Sequence, residues 1–154
     1  MTLLNHDHYG TIYEAADYFA GRLHDNAWAH ASAANRPKAL MAATAIIDSL
    51  NFKGDKNDED QFLEFPRDGD TMVPETIRKA IYEIARDLLD GKDPETELEN
   101  LGIVSQGYAS GRTSYSRSKV PIEHIINGVP NPLAWRWLKP FLRDDDAIKL
   151  SRVS

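Results

Sequence analysis

The stretch from Ala39 to Gly91 constrains the fold more than any other part of the chain. It reads as a helix, ALMAATAIIDSLNFKG, a polar bridge, DKNDED, the block QFLEFPR, and a second amphipathic run, VPETIRKAIYEIARDLLDG. A turn of the form Q-x-L-x-[FW]-P-R between two amphipathic helices, the second opened by proline, is a scaffold arrangement. Burial of the aromatic ring and loss of alternative chain paths at the proline both favour a single backbone route. Phe65 and Pro66 are therefore read as pins that hold the bridge on the helices. Arg67 is read as a partner of Glu64, or of an acidic group on a helix, that keeps the turn in shape. A bridge from Arg67 to a neighbouring copy of the chain is the other reading that the residues allow.

Period and capping place four long helical segments. Thr11 followed by Glu14 is a capping box, and Ile12, Ala15, Ala16, Phe19 and Leu23 line one face of a helix of about four turns. The Ala-rich segment 26–34 around Trp28 is either a loop packed by its tryptophan or one short turn. A second helix begins at Asn35, with Pro37 in its first turn, buries Leu40, Ala43, Ile47 and Leu50, and ends at Gly54. The third begins at Pro74, carries Ile77, Ile81, Ile84 and Leu88, and stops at Gly91 with an αL cap. The fourth is capped by Asn131, with Pro132 in its first turn. It carries Leu133, Trp137, Leu138 and Phe141, and Pro140 kinks it or ends it early. A short acidic helix is expected near Pro94.

The remaining segments differ in composition. Residues 102–119, GIVSQGYASGRTSYSRSK, are rich in Gly, Ser, Thr and Tyr and read as a loop or a marginal two-stranded hairpin. Residues 144–154 form a polar tail in which Ile148 and Leu150 follow three aspartates. The fold class is thus mainly α: a compact bundle of about four helices with a loop or hairpin insertion at 102–119 and an extended tail. Its single domain spans residues 1–143.

Composition excludes whole classes of function. With 24 acidic against 18 basic residues and a net charge of −6, the chain has no wide basic face for gripping phosphates. It has no cysteine, so thiolate catalysis, disulfides and cysteine-based zinc sites are ruled out. The first ten residues lack the features of a cleaved signal, and no apolar run is long enough to span a membrane. His6 and His8 flank Asp7 at a metal-compatible spacing, yet no distant ligand pair is placed to complete a site. His24, His30 and His124 are scattered, and the acidic runs lack the pattern of a calcium loop. No nucleotide, dinucleotide or zinc-protease motif occurs. The reading is of a protein that is not an enzyme and takes no cofactor or metal.

One patch carries interaction chemistry: Tyr108, Arg112, Tyr115, Arg117 and Lys119, where aromatics interleave with cations. Such residues stack bases and hold phosphates in single-strand binders, and the same residues are enriched at protein interfaces. Contact with a protein partner is the preferred reading of the two.

Taken in order, several features resemble the head–tail adaptor (connector) proteins of tailed bacteriophages, a family often labelled DnaT-like single-stranded-DNA-binding proteins. They are Tyr18 with Phe19, Trp28, the block ending at Leu50, Phe52 with Gly54, then Gln61, Leu63, Phe65, Pro66 and Arg67, and finally Ile77, Ala80, Glu83, Ala85 and Leu88. The similarity runs from about Tyr13 to Leu142. It implies a helical bundle that assembles as a ring, commonly of twelve copies, at the virion neck after synthesis in the host cytoplasm. The implied partners are other copies of the chain, the portal protein, a downstream tail or nozzle protein, and genomic duplex DNA that slides through the lumen without sequence-specific binding. No membrane is involved.

A closed ring needs two different sticky faces per protomer. Tyr108, Arg112, Tyr115 and Arg117 are expected to supply one subunit interface, and the helix from Trp135 to Phe141 the other interface or the core. Ile148, Leu150 and Arg152 in the tail are expected to dock on the portal, becoming ordered on assembly. The alternative is a single-stranded-DNA-binding replication protein.

Overall fold

The computed structural model describes residues 8–101 and 123–143, and within them the protein is a compact bundle of α-helices. Its principal helices are α1 (Ile12–Ala20), α3 (Asn35–Asp48), α4 (Glu75–Leu89) and α7 (Pro132–Leu138). Single turns α2 (Asn26–Ala29) and α6 (Glu123–Ile126) and a helical segment α5 at residues 94–101 complete it, with a 3-10 turn at Lys139–Phe141.

Helix α4 is the hub, packed by α1, α2, α3 and α7. Ile77, Ala80, Ile81, Ile84 and Ala85 are fully buried, and the three isoleucines each contribute about 1.5–3 kcal/mol of transfer free energy. Its end follows the expected cap. Gly91 has φ +92°, its N–H donates to Leu88 O at 3.1 Å, and the Lys92 N–H donates to Asp87 O at 3.0 Å, the paired bonds of a Schellman motif. α5 starts where the acidic run predicts, its first turn held by Asp93 Oδ1 accepting from the Glu95 N–H at 3.0 Å.

Two sequence expectations need correction, in α1 and α3. α1 does start at Thr11, whose hydroxyl accepts from the Glu14 N–H, but it stops at Ala20. Leu23 lies beyond it and is 81% exposed, and Ala16 faces solvent. Gly21 is a poor interior residue, and the Arg22 side chain is drawn toward Glu83, so the chain turns away. α3 ends at Asp48 rather than Gly54, because Ser49 folds its hydroxyl back onto Ile46 O and Asp48 accepts hydrogen bonds from other segments. Leu50 is only half-buried. In α7, Ala134, Trp135 and Leu138 face the core, whereas Leu133 and Trp137 are half-buried. The rotation is set by Asn131, which caps the helix and is itself tied to α4.

The Ala-rich segment resolves as the short turn α2. Its Trp28 is buried and stacks on Phe19 with centroids 5.2 Å apart, while Arg36 of α3 donates to Trp28 O at 3.1 Å and Ala29 O at 2.9 Å. A one-turn helix does not persist alone, so this packing and capping hold it.

Candidate functional site

Two polar clusters organise the bundle. The first is the bridge turn. Phe65 is buried in an aromatic knot, with Phe52 at 4.7 Å, Phe141 at 5.9 Å and Tyr9 at 6.0 Å between centroids, all edge to face. The Phe65–Pro66 bond is cis. Arg67, only 8% exposed, spreads its guanidinium over four acceptors: Nε on Lys53 O (3.0 Å), Nη1 on Glu64 O (3.3 Å) and Glu64 Oε1 (2.9 Å), and Nη2 on Gly54 O (2.7 Å). Of the readings open for Arg67, the structure brings it to Glu64 of its own chain.

The two ends of the bridge are tied together as well. The Asp68 N–H donates to Asp55 O at 2.9 Å, and Asp68 Oδ1 accepts from the Asp55 N–H at 2.9 Å. Gly54 has φ +72° and lies so close to the Asp68 carboxylate that a Cβ at that position would collide with it. Farther out, residues 51–53 run antiparallel to 141–143, through Lys53 N–H to Phe141 O (2.8 Å) and Arg143 N–H to Asn51 O (3.0 Å). The bridge is thereby clamped to the C-terminal end of the bundle.

Below the turn, the Tyr9 hydroxyl donates to Asp48 Oδ1 at 2.5 Å and accepts from the Phe65 N–H at 3.0 Å. Burial pushes the Asp48 carboxyl from 3.8 up to about 6, against the lowering effect of its hydrogen bonds from Tyr9 and the Glu64 backbone. The folded state thus holds a proton on Asp48 more tightly than the unfolded chain does. Its contribution to stability is fully present below the unfolded pKa and is lost as pH rises through about 6. Asp48→Asn, neutral at every pH, is expected to flatten the fall in stability between pH 4 and 6.5, an effect on the order of 1–2 kcal/mol after allowing for partial exposure. Urea melts of both proteins across that range measure it, and parallel curves would refute the assignment.

The second cluster joins three helices around Glu83 of α4, which is 0% exposed. Tyr18 Oη donates to Glu83 Oε2 at 2.5 Å, and Arg22 donates through Nε to Oε2 (2.5 Å) and Nη2 to Oε1 (3.0 Å). One turn on, Asp87 is 1% exposed and accepts from Asn131 Nδ2 at 2.8 Å, with Arg86 and Lys92 nearby at 3.3 and 3.5 Å. Asn131 Oδ1 meanwhile accepts from the Ala134 N–H at 2.8 Å, capping α7. Burial of the Arg22 guanidinium works to lower its pKa, but the hydrogen bond and charge of Glu83 outweigh it and the net shift is upward. Burial, with Glu83 adding to it, raises the Tyr18 hydroxyl. The cluster ties α1 and the start of α7 to α4.

Of the sequence-derived site residues, Phe65, Pro66 and Arg67 come together as a pinned turn. Tyr108, Arg112, Tyr115 and Arg117, together with Ile148, Leu150 and Arg152, lie outside the described residues. The choice between loop and hairpin for 102–119 and the fate of the tail lie outside them too. His8 is described, and among the described residues no group of three or more His, Asp or Glu side chains is arranged to hold a metal ion. No helix among them is long and apolar enough to cross a membrane. Sequence reasoning missed the cluster around Glu83 and Asp87. Its one signal is a pair of acids four residues apart among the isoleucines of α4.

Residues 2–132 match the family described as "Putative DnaT-like ssDNA binding protein". No curated protein and no solved structure matches the chain. The family match supports the DnaT-like label within the resemblance drawn from sequence, and nothing in the comparisons speaks for the head–tail adaptor within it.

Proposed function

The chain belongs to the DnaT-like family, and on that premise we propose that it is a non-catalytic structural protein working beside DNA, the head–tail adaptor of a tailed phage. In this reading copies of the chain close a ring through two unlike faces per protomer, between the portal and a downstream tail protein, and duplex DNA passes through the lumen. The observation that carries it is charge. Among the described residues carboxylates outnumber lysines and arginines. Arg22, Lys56, Arg67, Arg78, Lys79, Arg86, Lys92 and Lys139 each sit within 4 Å of a carboxylate. An acidic body most of whose described cations are paired disfavours a phosphate backbone and lets it slide, where a strand binder needs an open basic groove.

A second reading has the family's description in its favour: binding of single-stranded DNA. Given the acidic body, that activity falls to Tyr108, Arg112, Tyr115 and Arg117, with bases stacked on the tyrosines and phosphates on the arginines. Light scattering after size separation, on the protein alone and mixed with its cognate portal, with a labelled single-strand oligonucleotide alongside, separates the two. Ring-sized mass on the portal with no oligonucleotide bound supports the adaptor. Tight, salt-sensitive oligonucleotide binding without portal association overturns it in favour of strand binding.

The tail adds a prediction within the adaptor reading. Arg143 is the last described residue and its N–H is bonded to Asn51 O, so truncation after it leaves the clamp intact. The truncated protein is expected to melt like the full chain and to lose portal binding. Retained portal binding would remove Ile148, Leu150 and Arg152 from the partner surface.

A further inference from the structure

The bridge between α3 and α4 presents an apolar cleft inside an acidic rim. Phe62, which is 74% exposed, lines a depression of about 540 Å³ together with Leu63, Pro66 and Val73, and the buried Phe65 is among its walls. Met72, next to Val73 in the chain, is 64% exposed and adds a second outward apolar side chain. The volume falls within the roughly 300–1,000 Å³ of ligand pockets. Contiguous exposed apolar groups rimmed by polar ones mark an interaction site, where single scattered ones do not.

The turn that carries Phe62 is built rather than loose. Gln61 folds its side-chain amide inward and donates to Leu63 O at 2.7 Å and to Pro66 O at 3.0 Å. Asn57 joins the two limbs of the bridge, donating to Asp70 O and accepting from the Gly69 N–H, each at 2.7 Å. The shape of the cleft is thus set before any partner arrives, which lowers the ordering cost of binding there.

The rim fixes the charge of the occupant. Residues 55–70 contain seven carboxylates and two cations, and both cations, Lys56 and Arg67, turn to Glu64. The other six acids, Asp55, Asp58, Glu59, Asp60, Asp68 and Asp70, are exposed, and among the described residues none forms an ion pair. Asp58 and Asp60 line the cleft itself. Carboxylates crowded on one short stretch of chain repel one another, and an incoming cation relieves that repulsion. The same rim repels a phosphate backbone, and it disfavours a second copy of a chain whose net charge is −6.

We propose that the cleft over Phe62, Pro66 and Val73 is a docking site for a short cationic segment of another protein. A bulky aliphatic or aromatic side chain of that segment fills the cleft against Phe62 and Val73, and lysines or arginines on either side of it pair with Asp58 and Asp60. The apolar anchor supplies most of the affinity, and the rim supplies selectivity and speed of encounter. Neither the adaptor reading nor the strand-binding reading uses this cleft.

Selection of a displayed random peptide library on the immobilised full-length protein, with subtraction on Phe62→Ser, tests the assignment. Phe62 and Asp60 are exposed, and among the described residues their side chains make no hydrogen bond or ion pair, so Phe62→Ser and Asp60→Lys are expected to melt like the parent. Peptides in which Lys or Arg flank a bulky apolar residue should be enriched. A labelled synthetic copy of the enriched sequence should bind the parent roughly tenfold more tightly than either variant, equivalent to about 1.4 kcal/mol. Raised salt should weaken that binding. Enriched peptides without cations, or no enrichment over Phe62→Ser, overturn the proposal, as does an affinity unchanged in either variant. Light scattering on the parent and on Phe62→Ser examines the other occupant: a mass that falls with the substitution gives the cleft to a second copy of the chain and likewise overturns the proposal.

Discussion

Glu83→Ala is expected to destabilise the protein by about 3–5 kcal/mol, since removing one partner of a buried charged cluster leaves the others uncompensated. The substitution strips Tyr18 Oη and two nitrogens of Arg22 of their acceptors. It also leaves a space beside residues that are fully buried. Glu83→Gln distinguishes charge from shape. It keeps the side-chain volume and one acceptor, but its amide nitrogen meets the Arg22 donors, so a substantial part of the loss is expected to remain. Guanidinium melts of both variants provide the measurement. If Glu83→Ala costs under 1 kcal/mol, the cluster does not fasten α1 to α4, and the pairing with Arg22 is one of the weak ion pairs common at surfaces. The partner on the other side gives a check: Asn131→Ala loses both the α7 cap and the bond to Asp87, and should destabilise by about 1–3 kcal/mol.

Local signals were legible in the sequence, and long-range ones were not. Thr11, Gly91 and Asn131 act at helix ends through bonds to residues three positions away, so spacing alone reveals them. The pairing of Arg67 with Glu64 is equally local, and it stood among the alternatives for that reason. Two of the other acceptors of Arg67 are the carbonyls of Lys53 and Gly54, which leave no trace in residue identity because every residue carries one. Arg22 and Glu83 are 61 residues apart, and nothing in α1 announces that its last turn gives way to an arginine seeking a carboxylate on α4. The early stop of α1 and the exposure of Leu23 follow from that same contact. Sequence put Leu133, Trp137 and Leu138 on one helix without saying which faces the core, because the rotation of α7 depends on Asn131 gripping Asp87, and that constraint belongs to the tertiary structure. The aromatic and basic character of 102–119 was plain from composition.

Arg67→Lys should cost nearly as much as Arg67→Ala, about 3–5 kcal/mol, despite conserving the charge. A guanidinium offers five donors in a planar fork, and here Nε, Nη1 and Nη2 each reach a different acceptor across the turn. An ammonium at that position can keep the pair with Glu64, but it cannot also reach the carbonyls of Lys53 and Gly54. Those carbonyls sit beside the antiparallel clamp between 51–53 and 141–143, so the loss is transmitted to the C-terminal end of the bundle. For a chain of this size the change corresponds to a fall in Tm of roughly 10 °C, readable by circular dichroism. Hydrogen exchange locates it: the amides of Lys53, Asp68 and Arg143 should lose protection in Arg67→Lys while those within α4 keep theirs. A lysine variant that melts like the parent would mean that charge alone holds the turn. In that case the fork would be dispensable, and the specific need for arginine after Phe65 and Pro66 would have to come from a contact outside the protomer, as a bridge to the next subunit.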